Sequence, residues 1–321
     1  MIGGSLMWHF IKWHKIIGNW AATRLFDRPL PPPTAREIAL AEALHEELAK
    51  APAAAMLPTW VKFREEVRRN FAAYDPRSFL RWPLIQHTMC VTNSGAMVRE
   101  LFALRTSAKW PLFRKAVVES PVGNPIRFLY YPESSGNLLH HCYHAMRFEE
   151  ATGADISKLD LVVEFGGGYG SMCRLFHRLG FQGRYFIYDL PEFSALQRYF
   201  LMNLGLPVRD GTDDCTEKGI YLFTDLTLLQ RALKERPAPG ASAFVATWSL
   251  SESPAELRDR FLPLVETFDY FLIAFQDRFY EMDNAEYFAR FESTTAARIE
   301  WRKKRLRHLP GNNYLFGKSH E

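Results

Sequence analysis

Apolar and polar positions follow two different rhythms along this chain, and the change comes near Gly153. In the first half the apolar residues recur at helical spacing. A proline run from Pro29 to Pro33 punctuates the start, and Thr34-Ala-Arg-Glu37 directly after it has capping-box form. There the threonine oxygen accepts from an early helix amide and the glutamate reaches back. The spacing predicts a helix to about Lys50 with Ile38, Ala41, Leu44 and Leu48 on one stripe. Pro58 opens another helix through Phe71, and Asp75-Pro76 and Trp82-Pro83 break the chain. Further helices are expected over 95–104, 110–119 and 137–152. This half shows no alternating strand pattern.

Beyond Gly153 short apolar runs alternate with helical ones. Strands are expected over 159–165, 184–188, 220–224, 243–248 and 270–275, with helices over 169–179, 193–204, 226–235 and 254–266 between them. A helix over 284–301 follows. Residues 305–309 and 314–317 read as two last strands joined by Pro310-Gly-Asn-Asn313. Such alternation implies βαβ units and a doubly wound sheet. The fold class is therefore α/β: a mainly helical region over 1–153 for acceptor binding or oligomerisation, then a mostly parallel doubly wound domain over 154–321 closed by an antiparallel hairpin.

Composition narrows the class without deciding it. The 321 residues are 47% hydrophobic and 24% charged, an ordinary globular balance. A formal net charge of +4 lacks the strong basic excess of nucleic-acid proteins, so nucleic acid is not expected as a partner. Cys90, Cys142, Cys173 and Cys215 form no CxxC pair and read as reduced thiols of a cytoplasmic protein. His9, Lys12, His14 and Lys15 interrupt the apolar N-terminus, which lacks a signal-peptide core, and no stretch is apolar enough to span a bilayer. The segment 8–17 reads as an amphipathic helix that packs on its own protein or on a second copy, or lies on a membrane surface.

The chemistry concentrates in Glu164-Phe-Gly166-Gly167-Gly168-Tyr-Gly170, at the end of the first expected strand. Glycines let backbone amides approach a ligand, and the next helix starts there with its free amides facing out. Asp189, in Ile187-Tyr-Asp-Leu190-Pro191, follows about twenty residues on, where a carboxylate accepts from ribose hydroxyls. This combination suits a nicotinamide dinucleotide as well as S-adenosylmethionine. Two features favour the methyl donor. Counted from Gly166, the third glycine position of the dinucleotide spacing holds Ser171, whereas the acid–glycine pattern is complete. Glu164 would also repel a pyrophosphate and can meet an ammonium group.

Residues 163–172 and Tyr188-Asp-Leu-Pro-Glu-Phe193 resemble the bacterial sugar O-methyltransferase family, within the class I S-adenosylmethionine-dependent methyltransferases. Trp248-Ser-Leu-Ser-Glu252 and Leu309-Pro-Gly-Asn-Asn-Tyr-Leu-Phe-Gly317 are similar to that family's fourth-strand and C-terminal segments. The resemblance covers the C-terminal half well and residues 134–153 moderately. It implies a closing hairpin after the fifth strand, S-adenosyl-L-methionine as cofactor, and methyl transfer to a hydroxyl of a sugar, a glycan or another small molecule. The cofactor residues it implies are Glu164, Gly166, Gly167, Gly168, Gly170, Asp189 and Leu190. A NAD(P)-dependent oxidoreductase and a non-catalytic binding protein of the same fold are the alternatives.

A sugar hydroxyl is a poor nucleophile near neutral pH, so a general base is expected. His140, His141 and His144 cluster on one predicted helix and are the leading candidates. Glu252 is a further candidate, after the fourth strand. Asp277 can orient the acceptor or hold a divalent ion, although no metal pattern is indicated, and Asp225 can approach an adenine. Residues 298–308 carry Arg302, Lys303, Lys304, Arg305 and Arg307 and read as a solvated helix end. Trp60, Phe63, Phe79 and Trp82 read mostly as core.

Overall fold

A computed structural model describes residues 3–50, 58–235 and 240–320. The first half gives helices α1 (Gly3–Phe26), α2 (Ala35–Lys50), α3 (Pro58–Ala73), α4 (Pro83–Thr88), α5 (Gly95–Thr106), α6 (Trp110–Ala116) and α7 (Gly136–Thr152). The second half alternates: β1 (Leu161–Phe165), α8 (Ser171–Arg178), β2 (Arg184–Tyr188), α9 (Pro191–Asn203), β3 (Val208–Asp210), β4 (Gly219–Phe223) and α10 (Leu226–Lys234). It continues with β5 (Ser242–Thr247), α11 (Ala255–Phe261), β6 (Tyr270–Gln276), α12 (Asn284–Thr295), β7 (Ile299–Arg305) and β8 (Asn312–Ser319).

These strands form one sheet in the order β7-β8-β6-β5-β1-β2-β4-β3. The pairs from β6 to β3 are parallel. Only β8 runs against its neighbours, β6 on one side and β7 on the other. The chain builds outward from β1 through β2 and β4, then returns to add β5 and β6 on the opposite side. Strand order therefore reverses between β1 and β5, the place where open α/β sheets bind ligands beyond their carboxyl ends. This is the class I methyltransferase sheet, with the short β3 added at one edge.

Successive strand residues face opposite sides, and two cores follow from that alternation. Val162, Tyr185, Ile187, Val245 and Tyr314 belong to one core, with α7, α8 and α9 laid over them. Leu161, Val163, Phe186, Phe244 and Leu315 belong to the other, covered by α10, α11 and α12. Burial on both faces explains why the central strands read as continuous apolar runs. The first core does not stop at the sheet's own helices. It extends through Leu44, Phe71, Phe79, Leu101 and Phe113, so the N-terminal helices form an outer layer on that face.

Several expectations need correction. The capping box is present, with the Thr34 amide donating to Glu37 at 2.8 Å and the Glu37 amide to Thr34 at 3.2 Å. Of its stripe, however, Ile38 is exposed and Leu44 and Leu48 are buried. The first half also holds a short antiparallel ladder between Arg127–Phe128 and Tyr131–Ser135. The helix expected over 284–301 ends at Thr295, and the basic run is strand β7 rather than a helix end. Its outward charges cover an edge strand, which keeps the edge from pairing with another chain. Phe79 and Trp82 are core, as read. The side chains of Trp60 and Phe63, and those of 8–14, lie outside the described residues. No described helix is long and apolar enough to cross a membrane. All four cysteines are free.

Candidate functional site

The stretch from Gly166 to Gly170 crosses the carboxyl edge of the sheet at the point of reversal. Gly166, Gly168 and Gly170 adopt φ of +70°, +58° and +91°, the left-handed region that side chains disfavour. Space is the second constraint at Gly166. A Cβ there would stand 2.2 Å from the Ser249 Cβ. Ser249 holds that position by donating its hydroxyl to the Phe165 carbonyl.

Asp189 ties the loop together. Its carboxylate accepts from the Leu190 amide at 2.8 Å, the Gly168 amide at 3.2 Å and Gln197 Nε2 at 2.7 Å. Gln197 also donates to the Gly168 carbonyl at 3.0 Å, so a residue of α9 clasps loop and acid at once. Burial pushes the Asp189 carboxyl up to about 7, against the pull of these donors. Glu164, one strand over, accepts from the Tyr185 hydroxyl at 2.9 Å. Burial pushes it up to about 8, with the Asp189 charge adding to the rise. The side chains acting on Glu164 are Tyr185 and Asp189, neither of them a cation. The buried Glu164 and the half-buried Asp189, with no cationic partner among the described residues, suit a ligand that brings its own positive charge.

Asp189→Asn should lower the unfolding free energy by about 1–3 kcal/mol, because an amide cannot accept from all three donors and leaves partly buried N–H groups unpaired. Urea denaturation measures this, and an unchanged midpoint would mean that the carboxylate does not hold the loop.

The histidines lie on α7, which starts beside the loop: Ser135 caps it by accepting from the Leu138 amide, and Asn137 Nδ2 donates to the Tyr169 hydroxyl at 2.8 Å. His140 and His144 are buried, with ring centroids 4.1 Å apart. Both lie against the Trp248 indole, at 5.3 and 5.2 Å. Trp248 follows β5 directly and precedes Ser249, so the histidines and the glycine loop flank the same two residues. Its φ of +64° is unusual for a bulky residue and marks backbone strain at the switch point. Hydrogen bonds from its amide to Ala274 and from its indole to Asn312 hold it there.

The three histidines differ in their partners. His140 Nδ1 lies 2.8 Å from a Glu100 oxygen, and His308 Nε2 lies 2.6 Å from the same carboxylate. His144 Nδ1 pairs with the Tyr314 hydroxyl. Burial lowers His141 to about 3 and His144 well below its ordinary value, with neighbouring histidine charges adding to both. Burial alone would raise the Glu100 carboxyl, but the charge and hydrogen bonds of His140 and His308 outweigh it and leave it lowered. Glu252 accepts from Gln276 at 3.2 Å, and burial pushes it up to about 7.

Other candidates have structural duties. Asp225 caps α10, accepting from the Thr227 amide at 2.6 Å. Asp277 accepts from Asn313 at 2.6 Å. Among the described residues no group of three or more His, Cys, Asp or Glu could hold a metal ion. A cavity of about 310 Å³ lies elsewhere, between the loop after β3 and α10, where Asp213, Cys215 and Arg231 line it.

No protein-family profile and no curated protein sequence matches the chain. Solved structures do resemble it in fold. The 16S rRNA methyltransferase RmtF with S-adenosyl-L-homocysteine is 15% identical, with 90% of this chain and 100% of that one covered and a TM-score of 0.37. The 23S rRNA methyltransferase ErmE is 16% identical over 54% of this chain, with a TM-score of 0.34, and the chain spans 66% of its length. Burkholderia thailandensis 1,6-didemethyltoxoflavin-N1-methyltransferase is 11% identical over 56% of this chain and 77% of that one, with a TM-score of 0.34. At such distances the likeness is one of fold. One expectation is nevertheless corrected. Nucleic acid was excluded on net charge, yet methyltransferases of ribosomal RNA are among these structures. A net charge of +4 does not describe how charge is placed on a surface.

Proposed function

We propose that the chain is an S-adenosylmethionine-dependent O-methyltransferase whose acceptor is a hydroxyl of a sugar or sugar-containing molecule. One observation carries the reading: the buried carboxyl of Glu164 and the half-buried one of Asp189 flank a left-handed glycine loop at the reversal point of a class I methyltransferase sheet. Glu164 would receive the ligand's ammonium group, the glycine loop would let the ligand lie close against its backbone, and Asp189 with the Leu190 segment would take its nucleoside. A pyrophosphate at the same place would meet two acids. The bound cofactor supplies an electrophilic methyl group. The chain's own tasks are to align the acceptor oxygen, exclude water and take up a proton. We assign proton uptake to the histidine cluster, with Glu252 orienting the acceptor. In this reading the helical region 1–153 contributes acceptor contacts or self-association, and 154–321 holds the cofactor. The sugar acceptor rests on the sequence resemblance to the sugar O-methyltransferases.

Calorimetry with S-adenosylhomocysteine, NAD and NADP tests cofactor choice, and only the first should bind. Acceptor-dependent release of S-adenosylhomocysteine, measured with monosaccharides, nucleotide-linked sugars and a ribosomal RNA fragment, tests the acceptor. Binding of a pyridine dinucleotide alone would end the methyltransferase reading. Turnover with the RNA fragment alone would end the sugar assignment.

A further inference from the structure

Three segments far apart in sequence meet at a single buried acid. Glu100, from the middle of α5, is fully buried and accepts from His140 of α7 and from His308 of the β7–β8 connection. A carboxylate shut away from water is costly unless paired, and here two imidazoles share it. The far nitrogen of His140, Nε2, is buried and has no hydrogen-bond partner among the described residues. It belongs to the ring that stacks on Trp248, the residue next to the serine packed on the glycine loop.

Building on the proposed methyl transfer, we propose that Glu100 and His140 form a carboxylate–imidazole dyad in which Nε2 of His140 removes the acceptor proton, Glu100 is its positioning residue, and His308 is a second imidazole on the same carboxylate. The proton of the acceptor hydroxyl passes to Nε2. The electron pair of the broken O–H bond forms the bond from the acceptor oxygen to the donor methyl carbon, and the pair of the broken carbon–sulfur bond stays on sulfur. Positive charge thus moves from the sulfonium to the imidazole, where Glu100 stabilises it. The proton then leaves to solvent. The neighbouring histidines lack this support. His144 has a phenol as its Nδ1 partner, and a phenol does not neutralise a buried imidazolium. His141 has no partner at Nδ1 among the described residues. Glu100 also fixes the tautomer, because its oxygens accept from Nδ1–H and leave the Nε2 lone pair available. The half-buried Trp248 indole covers the ring, so the acceptor reaches Nε2 by displacing it.

The first test needs no acceptor. Imidazole nitrogen-15 NMR of the full-length protein, with His140→Asn for assignment, should show neutral His140 protonated on Nδ1; protonation on Nε2 instead overturns the dyad. The second uses the acceptor with the highest turnover in the sugar and RNA panel. Glu100→Gln should lower kcat at least about 100-fold while S-adenosylhomocysteine affinity stays within about twofold, and Glu100→Asp should recover part of the rate. The acid-side fall in turnover should move to lower pH in Glu100→Gln, since a negative charge is lost beside the base. His308→Gln should move it the opposite way, to higher pH, with less effect on the plateau, since a positive charge beside the base is lost. The other titratable groups facing the pair, His141, Tyr143, His144 and Arg147 on α7 and Tyr314 on β8, are unchanged in both variants. Full turnover with an unmoved pH profile in Glu100→Gln overturns the assignment. If Glu100→Gln does not fold, the NMR result and the Glu100→Asp profile decide. Failure of S-adenosylhomocysteine to bind wild-type protein would strike the methyltransferase reading itself, a result separate from the tautomer.

Discussion

Alanine at position 166 is expected to cost about 2–5 kcal/mol of stability and to abolish S-adenosylhomocysteine binding. Two separate penalties add. The φ of +70° places any L side chain in a disfavoured region, and the new Cβ would meet the Ser249 Cβ at 2.2 Å. The second obstacle is the root of a side chain, which cannot rotate away, so backbone must shift on one strand end or the other. The two terms can be separated. Ser249→Gly in the Gly166→Ala background removes the collision but not the φ strain, so urea unfolding should recover the larger part and leave about 1–2 kcal/mol. Ser249→Gly alone gives the baseline, because it also loses the hydroxyl that donates to Phe165. If Gly166→Ala unfolds within about 0.5 kcal/mol of wild type, below the usual scale of such effects, the loop is not built as described.

Ligand affinity should rise steeply with pH because of Glu164. Its carboxyl is pushed up to about 8, so at pH 6 it is mostly neutral and offers an ammonium group little. If binding needs the ionised form, the Kd for S-adenosylhomocysteine should fall roughly 50-fold between pH 6 and pH 8. The stability of the ligand-free protein should move the opposite way. Between the ordinary 4.5 and about 8 the folded state keeps a proton that the unfolded chain has lost, so rising pH through that window destabilises the fold. Saturating ligand should flatten that slope, because the bound state then carries the ionised carboxylate as the unfolded chain does. Glu164→Gln should flatten the pH dependence of binding and weaken affinity at pH 8 by roughly 100-fold, the scale of a lost buried charge pair. A variant that keeps the wild-type pH dependence would show that another group titrates. Asp189, up to about 7 from burial, is the group to replace next.

The sequence carried the periodic parts of this fold and not its long-range contacts. Strand β1, the glycine loop and Asp189 were readable because they form one continuous strand–turn–helix–strand unit whose chemistry is local. The helix expected over 137–152 begins one residue earlier, at Gly136, since its Ser135 cap is also local. The end of the chain was misread for a physical reason. In β7 every outward position from Arg302 to Arg305 is exposed, so no apolar alternation marks an edge strand built mostly of charge. Gln197 left only a faint trace, a polar residue inside the apolar helix α9. Glu100 left a clearer one: an acid among Met97, Leu101 and Leu104, the buried positions of α5. A charge inside a buried stripe requires a partner, but which histidine supplies it depends on how α5, α7 and the final hairpin stack. Nor does a single sequence reveal that Trp248 takes a left-handed backbone, since that conformation follows from its amide and indole being held by β6 and by Asn312.

The shared acid ties the two portions of the chain together in heredity as well as in space. Because α5 supplies the carboxylate for an imidazole of α7 and another of the closing hairpin, the helical layer is no exchangeable cap. A lineage that replaced residues 1–135 to suit a new acceptor would also discard the counter-charge of its base. Recombination between relatives would then succeed only where the incoming segment carries an equivalent acid, and diversity should accumulate around the rim of the helical layer while the 100–140–308 junction is inherited as a block.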